Sequence, residues 1–394
     1  MTARPLDGVL VADFSRVLAG PLCTMTLADL GATVIKVERP GAGDDTRAWG
    51  PPWTAAPQGS STYFESVNRS KHSVALDLDD PGDLALAREL ARRADVLVEN
   101  FKPGALERRG LGYAQVAEAN PRVVYCSVSG FGGGAGAARP GYDFIAQAVG
   151  GLMSITGEAD GEPMKAGVAL VDVLTGKDAA IGVLAALAAR ERTGRGCRIE
   201  VNLLSSLLAA LVNQAQGYLE TGVPPRRMGN RHPSIAPYET LRCRDGLLAV
   251  ACGNDGQFAR FAAVLGEPGL AADERFATNA ARVEHREELV AALEALLAAA
   301  GAAEWEERLA AVQVPAGRVG DLAAGFALAE RLGLAPAAPP APGRAPQVRH
   351  PVTYSADLVR PPQPPPGLGE HDAAVRAWLA AGPAPFTLEG HDPE

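Results

Sequence analysis

Cysteine is scarce in this chain: five residues in 394, at positions 23, 126, 197, 243 and 252. Their spacing matches neither a metal knuckle nor a disulfide framework. They read as reduced packing thiols, Cys126 included, in a cytoplasmic protein, and no metal site is expected. Long apolar runs are also missing. No window reaches the ~18 uninterrupted apolar residues of a membrane span. The richest stretch, 289–303, is interrupted by Glu294 and reads as an amphipathic helix. Asp7 and Asp13 break the opening residues, so no apolar leader core is expected there. Positive charge is in deficit, with a formal net charge of −9. That balance argues against nucleic acid as a partner and leaves room for a local basic pocket that takes an anionic ligand.

What is present is the composition of a globular protein, 47% hydrophobic and 21% charged, long enough for two or more domains. Up to about residue 130, short β-type runs alternate with helical ones. Strands are expected at 8–13, 32–38, 73–78, 95–99 and 122–128, with helices at 21–30, 80–93 and 113–119. Continuous apolar strands in such alternation imply a parallel sheet covered on both faces, hence an α/β fold with ligands at the loops after the strands. Helices at 142–152 and 173–190, a strand at 197–201 and one long helix at 203–221 follow. Gly222-Val223-Pro224-Pro225 marks a composition break. Beyond it lie a hairpin around Arg244-Asp245-Gly246, helices at 255–265, 282–299 and 303–312, a short strand at 315–319 and a helix at 322–332. This reads as a smaller α+β domain over 222–332. The proline-rich stretch 335–366 reads as an extended return path, and 372–380 as a last helix. His285, His350, His371 and His391 read as surface or helix-end residues.

One carboxylate stands out. Asp172 is the only charged residue between Lys165 and Lys177. A charge in an apolar run must be paired, exposed in a cleft, or used. Before it the residues are small and extended in habit; after it an Ala/Leu-rich helix begins. The carboxylate therefore falls at a helix N-terminus, where backbone N–H groups favour negative charge. A helix N-cap and a functional acid are both open readings of this segment.

The motifs, taken in order, carry a resemblance. They are Val11-Ala12-Asp13-Phe14-Ser15-Arg16-Val17-Leu18-Ala19-Gly20-Pro21, then Gly31 to Glu38, Gly43-Asp44 and Thr46-Arg47. Asn68-Arg69-Ser70-Lys71, Val98 to Gly104, Asn120-Pro121-Arg122, Thr193 to Gly196 and Leu368-Gly369-Glu370-His371 follow. Together they resemble the family III CoA-transferases, a group that includes formyl-CoA transferase, carnitine CoA-transferase and α-methylacyl-CoA racemase. The resemblance implies a large Rossmann-like domain built from 1–221 and 333–394, a small domain over 222–332, and two subunits interlocked as a homodimer. It implies acyl-CoA and a free carboxylic acid as substrates, with no tightly bound cofactor and no membrane partner.

The resemblance also implies roles. The family's catalytic aspartate matches Asp172. An aspartate with a pKa near ~3.9 is ionised at neutral pH and attacks a thioester without a general base. CoA carries phosphates, and the motif-matched cations are Arg39, Lys71 and Arg108, with Lys36 and Arg47 as further candidates. Asn100 and Phe101 match positions near the adenine or pantetheine. Val17, Leu18 and Ala19 would line the same pocket through backbone and apolar contacts. The family's transferases often carry glutamine where Leu18 stands, so a side-chain amide role is absent here. The racemase branch uses a histidine in a Gly-His-Asp segment; here that segment is Gly141-Tyr142-Asp143. A tyrosine with pKa near ~10 is a poor base at neutral pH, so transfer is expected over racemisation. Tyr142 then shapes the site or packs as a core aromatic. Arg231 and His232, in a segment resembling that of branches using succinyl-CoA and dicarboxylic acids, either meet a distal carboxylate or form a domain-entry turn. The alternatives are an acyl-CoA racemase of the same superfamily and a non-catalytic acyl-CoA binder.

Overall fold

The structure, a computed structural model, describes residues 4–54, 59–382 and 384–386. The chain forms two compact units: 1–152 with 166–221 and 335–394, and 153–165 with 222–334.

The first unit opens β1 (Leu10–Asp13), α1 (Ala19–Asp29), β2 (Thr33–Glu38), α2 (Thr62–Val67) and β3 (Lys71–Ala75). It continues α3 (Pro81–Arg93), β4 (Val96–Glu99), α4 (Tyr113–Ala119) and β5 (Val124–Ser129). Then come α5 (Asp143–Val149), α6 (Leu152–Ile155, whose residues 153–155 fall in the second unit), α7 (Leu170–Thr193), β6 (Arg198–Asn202), α8 (Leu203–Ala210) and α9 (Val212–Thr221). The six strands form one parallel sheet in the order β3-β2-β1-β4-β5-β6. β4, Val-Leu-Val-Glu, is buried along its whole length, which explains why the strands read as unbroken apolar runs. On one face, Cys23 and Leu27 of α1 and Ala179, Ala180 and Val183 of α7 pack on Val11, Val34, Val98 and Val124. On the other, Ala87 and Leu90 of α3 and Val116 of α4 pack on Ala12, Ile35, Leu97 and Tyr125. The α/β class and the two-faced sheet expected from the sequence are present.

The second unit carries β7 (Tyr238–Arg242), β8 (Leu247–Ala251), α10 (Asp255–Val264), α11 (Asn279–Glu284), α12 (Arg286–Leu297), α13 (Ala302–Ala311), β9 (Ala316–Arg318) and α14 (Leu322–Arg331). Its three strands pair antiparallel in the order β7-β8-β9. Phe258, Phe261, Leu289, Leu293 and Trp305 fill its core.

The return segment contributes a two-residue pairing of β10 (Ala337–Ala338) with β11 (Gln347–Val348), then α15 (Asp372–Ala381). Val375 and Leu379 of α15 complete the core on the α3 face. The Gly369-Glu370-His371 motif, whose role the sequence left open, anchors this return to β3. The Gly369 N–H donates to Ser73 Oγ (3.0 Å), the His371 N–H to Ser73 O (3.0 Å), and the Ser73 N–H to His371 Nδ1 (3.2 Å).

Several expected elements differ. The helix expected from 173 begins at Leu170. The stretch 142–152 breaks at Gly150-Gly151, where Gly151 has φ of 92°. The long helix over 203–221 breaks into α8 and α9 at Val212, whose φ is 37°. The stretch 282–299 breaks at His285, between two arginines drawn inward from opposite sides of the break. Arg282 donates to Ala236 O and Phe276 O, and Arg286 to His232 O and Ile235 O. His350 is not a surface residue; it is buried against Asp29, Nδ1 to Oδ2 3.2 Å. His391 lies outside the described residues.

α1 and α7 cross closely because α7 carries glycine at the contact. A Cβ on Gly176 would stand 2.6 Å from the Ala19 carbonyl oxygen and 3.1 Å from Leu22 Cβ. Gly176→Val is therefore expected to force the helices apart and lower stability by ~1–3 kcal/mol, read by urea unfolding; unchanged stability would contradict the tight contact.

Candidate active site

Strand order reverses between β1 and β4, since β2 flanks β1 on one side and β5 flanks β4 on the other. In such sheets the carboxyl ends of the two central strands open a crevice. The loop after β1 and the turn after β4 meet there. The Arg16 N–H donates to Asn100 Oδ1 (2.9 Å) and Asn100 Nδ2 donates to Arg16 O (2.7 Å). Asn100 thus holds backbone, with its amide committed on both sides. Glu99 closes the turn by accepting the Phe101 N–H (2.8 Å), and burial pushes its carboxyl up to about 7.

Beneath the loop lies a cluster of buried charge. Lys36 Nζ lies 2.9 Å from Asp44 Oδ2 and donates to Ser15 O (2.8 Å). Lys71 Nζ donates to Asp13 Oδ2 (3.0 Å), Pro21 O (2.9 Å) and Asn68 Oδ1 (2.9 Å). Asp13 also accepts from the Ser15 N–H and Thr24 Oγ1. Burial alone would raise the Asp13 carboxyl; the ammonium groups of Lys71 and Lys36 outweigh it and hold it at about 2. Asp44 in turn accepts the Val17 N–H on both oxygens (3.3 and 3.2 Å). Val17 has φ of 73°. For a β-branched residue this is a true outlier, costing about 1–3 kcal/mol, and it persists only where surroundings impose it.

α1 starts directly after this loop, with Leu18 as its N-cap and no side-chain acceptor on its first turn. Across from it, α7 brings in Asp172. Here the structure removes one of the two open readings. Asp172 is not the cap of α7; it sits in the first turn, and the cap residue, Ala169, has no hydrogen-bonding side chain. Asp143 of α5 caps the helix from outside. Its Oδ1 accepts the N–H groups of Val171 (2.8 Å) and Asp172 (3.2 Å). Gln147 Nε2 holds the other oxygen at 2.6 Å. With its helix capped by another residue, the Asp172 carboxylate is left facing a cleft of about 100 Å³, lined also by Val17, Leu18, Ala19, Gly130 and Tyr142. Gly130 and Gly141 touch: a Cβ on either would come within 2.7 Å of the other's Cα. That contact brings Tyr142 to the cleft rim, where it is 58% exposed rather than packed as a core aromatic.

The ordinary pKa expected for Asp172 is also corrected. Burial, and secondarily the charge of Asp143, push it up to about 7. At neutral pH about half the population is ionised. The sequence missed Tyr63. Burial and then the charges of Asp172, Asp143 and Asp44 push its hydroxyl up to about 12, which places the phenol in the field of the cleft. Its ring meets Trp49 edge-on at 5.3 Å. No motif marked it, because only the fold brings α2 under the influence of these carboxylates.

The motif-matched cations fare unequally. Arg39 is exposed and lines a second cleft, of about 190 Å³, with Arg16, Phe14 and Phe101. Arg16, missed by the sequence reading, lines both clefts and stands over the Phe101 ring at 5.4 Å. Arg108 is exposed; its neighbour Arg109 lines the second cleft and pairs with Asp79. Lys71 is a correction: it is buried and its three donors are taken by Asp13, Pro21 and Asn68, so no donor is left for a phosphate. Lys36 is likewise held by Asp44, and Arg47 by Glu38 at 2.7 Å. Arg231 and His232 belong to the second unit. Arg231 pairs with Glu239 (3.3 Å) and Glu287. His232 Nδ1 accepts the Ser234 N–H (3.2 Å), and its ring meets Tyr238 at 5.1 Å. Both side chains are engaged as a turn would engage them.

The chain matches CoA-transferase family III over residues 6–372. It is 45% identical over 389 residues to the succinate–glutarate CoA-transferase of Agrobacterium fabrum, covering 95% of this chain and 96% of that one. It is 42% identical to human succinyl-CoA:glutarate CoA-transferase (96% and 90% covered) and 44% identical to an acetyl-CoA:oxalate CoA-transferase of Acetobacter aceti (81% and 82%). Among solved structures it is similar to a CAIB/BAIF family protein from Brucella suis. The identity there is 44% and the TM-score 0.86, covering 96% of this chain and 100% of that one.

Three outcomes are expected. Turnover should rise with pH along a limb centred near 7, as Asp172 loses its proton. Asp143→Asn removes the neighbouring charge and should move that limb to lower pH; a limb that stays in place would show that Asp143 does not tune Asp172. Lys71→Met should lower stability by ~3–5 kcal/mol, because it strands the buried Asp13 carboxylate, as read by thermal and urea melts. A variant of wild-type stability with weakened CoA binding would return Lys71 to the ligand.

Proposed function

The chain belongs to CoA-transferase family III, and on that footing we propose that it moves CoA from a dicarboxylyl-CoA such as succinyl-CoA to a free dicarboxylic acid, with Asp172 as nucleophile. It is a CoA-transferase, and the names of its relatives pair succinate with glutarate and succinyl-CoA with mesaconate. The observation that carries the residue assignment is a half-buried carboxylate that faces a cleft instead of capping its own helix.

In the proposed sequence, ionised Asp172 attacks the thioester carbonyl of the donor and CoA leaves as thiolate, giving a mixed anhydride. The thiolate attacks the aspartyl carbonyl, the donor acid leaves, and an aspartyl-CoA thioester remains. The acceptor carboxylate attacks that carbonyl and releases CoA thiolate, forming a second anhydride. The thiolate then attacks the acceptor's acyl carbonyl, and Asp172 leaves as carboxylate. Each step trades one acyl bond for another, and water must be kept out because every intermediate hydrolyses. At the start of α1, Ala19 and Gly20 carry N–H groups without a competing side-chain cap, while Pro21 has none and Leu22 donates to Leu18 O; the two are a suitable donor pair for the oxyanion. A raised pKa makes Asp172 a stronger nucleophile once ionised, at the expense of the ionised fraction.

For CoA, the reading places the nucleotide end at the cleft of Arg39, Arg16 and Phe101, with pantetheine passing Arg16 and Asn100 toward Asp172. Both clefts have Arg16 in their linings. Arg108 stays a proposed phosphate contact from the loop beyond Phe101. An interlocked homodimer is proposed as well, supported by exposed apolar side chains on α9 (Leu219) and α14 (Leu322, Leu328). Cytoplasmic residence is proposed from the five free cysteines. Among the described residues no helix is long and apolar enough to cross a membrane.

Incubation with succinyl-CoA and a panel of mono- and dicarboxylic acids, read by mass spectrometry, should yield new acyl-CoA chiefly from dicarboxylic acceptors. Asp172→Ala should lower transfer by ~10³-fold or more while CoA still binds in calorimetry. An active Asp172→Ala enzyme refutes the assignment, and α-proton exchange into D₂O without transfer points to the racemase chemistry instead.

A further inference from the structure

Val17 holds a conformation that its own chemistry disfavours, in the wall of the cleft that Asp172 faces. Its φ is 73°, and a branched Cβ makes the left-handed region costly for valine. Its N–H is turned away from the cleft and taken by a carboxylate, Asp44, that is 1% exposed. That carboxylate is itself fixed on several sides. Lys36 lies 2.9 Å from one oxygen, while the Thr46 N–H (3.0 Å) and Thr46 Oγ1 (2.8 Å) donate to the other. The Asp44 N–H donates to Glu38 Oε2 (2.9 Å), and Glu38 is gripped by Arg47 and by Ser73 Oγ. The residues that follow Val17, Leu18 and Ala19, begin α1 and line the same cleft as Asp172.

We propose that Asp44 is a positioning residue for the transfer reaction: it clasps the Val17 N–H, holds that residue left-handed, and so sets the Leu18–Ala19 backbone against the carbonyl under attack at Asp172. The proposal rests on the transfer reading for its rate effects and on geometry alone for the clasp. A valine released from Asp44 would relax to negative φ, and the peptide groups entering α1 would rotate with it. Ground-state CoA contacts made elsewhere would survive, so the loss falls on kcat rather than on affinity. Glycine reaches positive φ without support. At position 17 it should therefore make the clasp dispensable, an effect that no purely structural role of the Lys36–Asp44 pair would produce.

The test uses the full-length enzyme with Asp44→Asn, Val17→Gly and the double variant. Amide hydrogen exchange of a peptide spanning residues 14–20, read by mass spectrometry, reports the clasp. CoA binding by calorimetry and kcat with succinyl-CoA and glutarate report its consequence. Asp44→Asn is expected to speed exchange at Val17 at least tenfold and lower kcat at least tenfold, with CoA affinity changed less than threefold. Val17→Gly alone sets the reference rate for the glycine background, in which adding Asp44→Asn should cost less than threefold in kcat. The double variant should regain at least threefold of the lost rate. If Asp44→Asn fails to fold, Thr46→Val removes one donor to Asp44 and keeps the Lys36 pair; it should show a smaller loss, again reversed by Val17→Gly. Unchanged exchange, or a folded Asp44 variant with full kcat, overturns the proposal, as does a double variant no better than Asp44→Asn. If the wild-type enzyme transfers nothing, the functional reading falls while the exchange measurement still decides the clasp.

Discussion

Asp13, Lys36, Asp44 and Lys71 are all buried under the loop that follows β1, and that loop depends on their mutual pairing. Removing four charges from water is expensive, and their attraction repays it only where hydrogen bonds satisfy what remains. Here the remainder is satisfied largely by the loop and the first turn of α1, through the Ser15 N–H, Ser15 O, the Val17 N–H and Pro21 O. The loop cannot shift without stranding a charge. Neighbouring apolar residues of similar volume would pack as well but would not specify a direction for each N–H. The same cluster reaches the far end of the chain, since Ser73 bonds both Glu38 and Gly369. The return segment is thereby tied into the floor of the cleft.

Asp172 shows the complementary strategy. Among the described residues no cation pairs with it as Lys71 pairs with Asp13, and its pKa moves in the opposite direction. Two aspartates in one unit therefore do different work. One is kept charged and immobile by ammonium groups; the other has its carboxyl pushed up by burial and by a like charge on Asp143, as the proposed nucleophile requires. Asp143 serves two ends at once. It occupies the N–H groups that would otherwise draw the Asp172 carboxylate back onto its own helix, and it resists the second ionisation. An aspartate that capped its own helix would be a poorer nucleophile, because its lone pairs would already be engaged.

The alternation of apolar strands and amphipathic helices announced a parallel sheet, and periodicity placed most of its elements within a few residues. Where periodicity misled, the cause was non-local. Val212 breaks a run that is apolar throughout, and Arg282 and Arg286 break a helical pattern to reach backbone carbonyls of 232–236 and 276. The cations show the same limit. Arg39 and Lys71 both match positions in the motif set, yet one is exposed at a cleft and the other is sealed beneath it. A motif reports residue type and order; burial depends on what packs above.

The chain's own order of residues therefore determined the α/β architecture, the family and the singular acid at 172, because strand periodicity, motif succession and an isolated charge are properties of local sequence. Only the tertiary structure decided that Asp143 caps the helix in place of Asp172, that Lys71 serves Asp13 and not a ligand, and that Val17 is held left-handed by Asp44. Those three outcomes join residues 28, 58 and 27 positions apart. Electrostatic and hydrogen-bond partners are chosen by distance in space, which packing sets and sequence spacing does not.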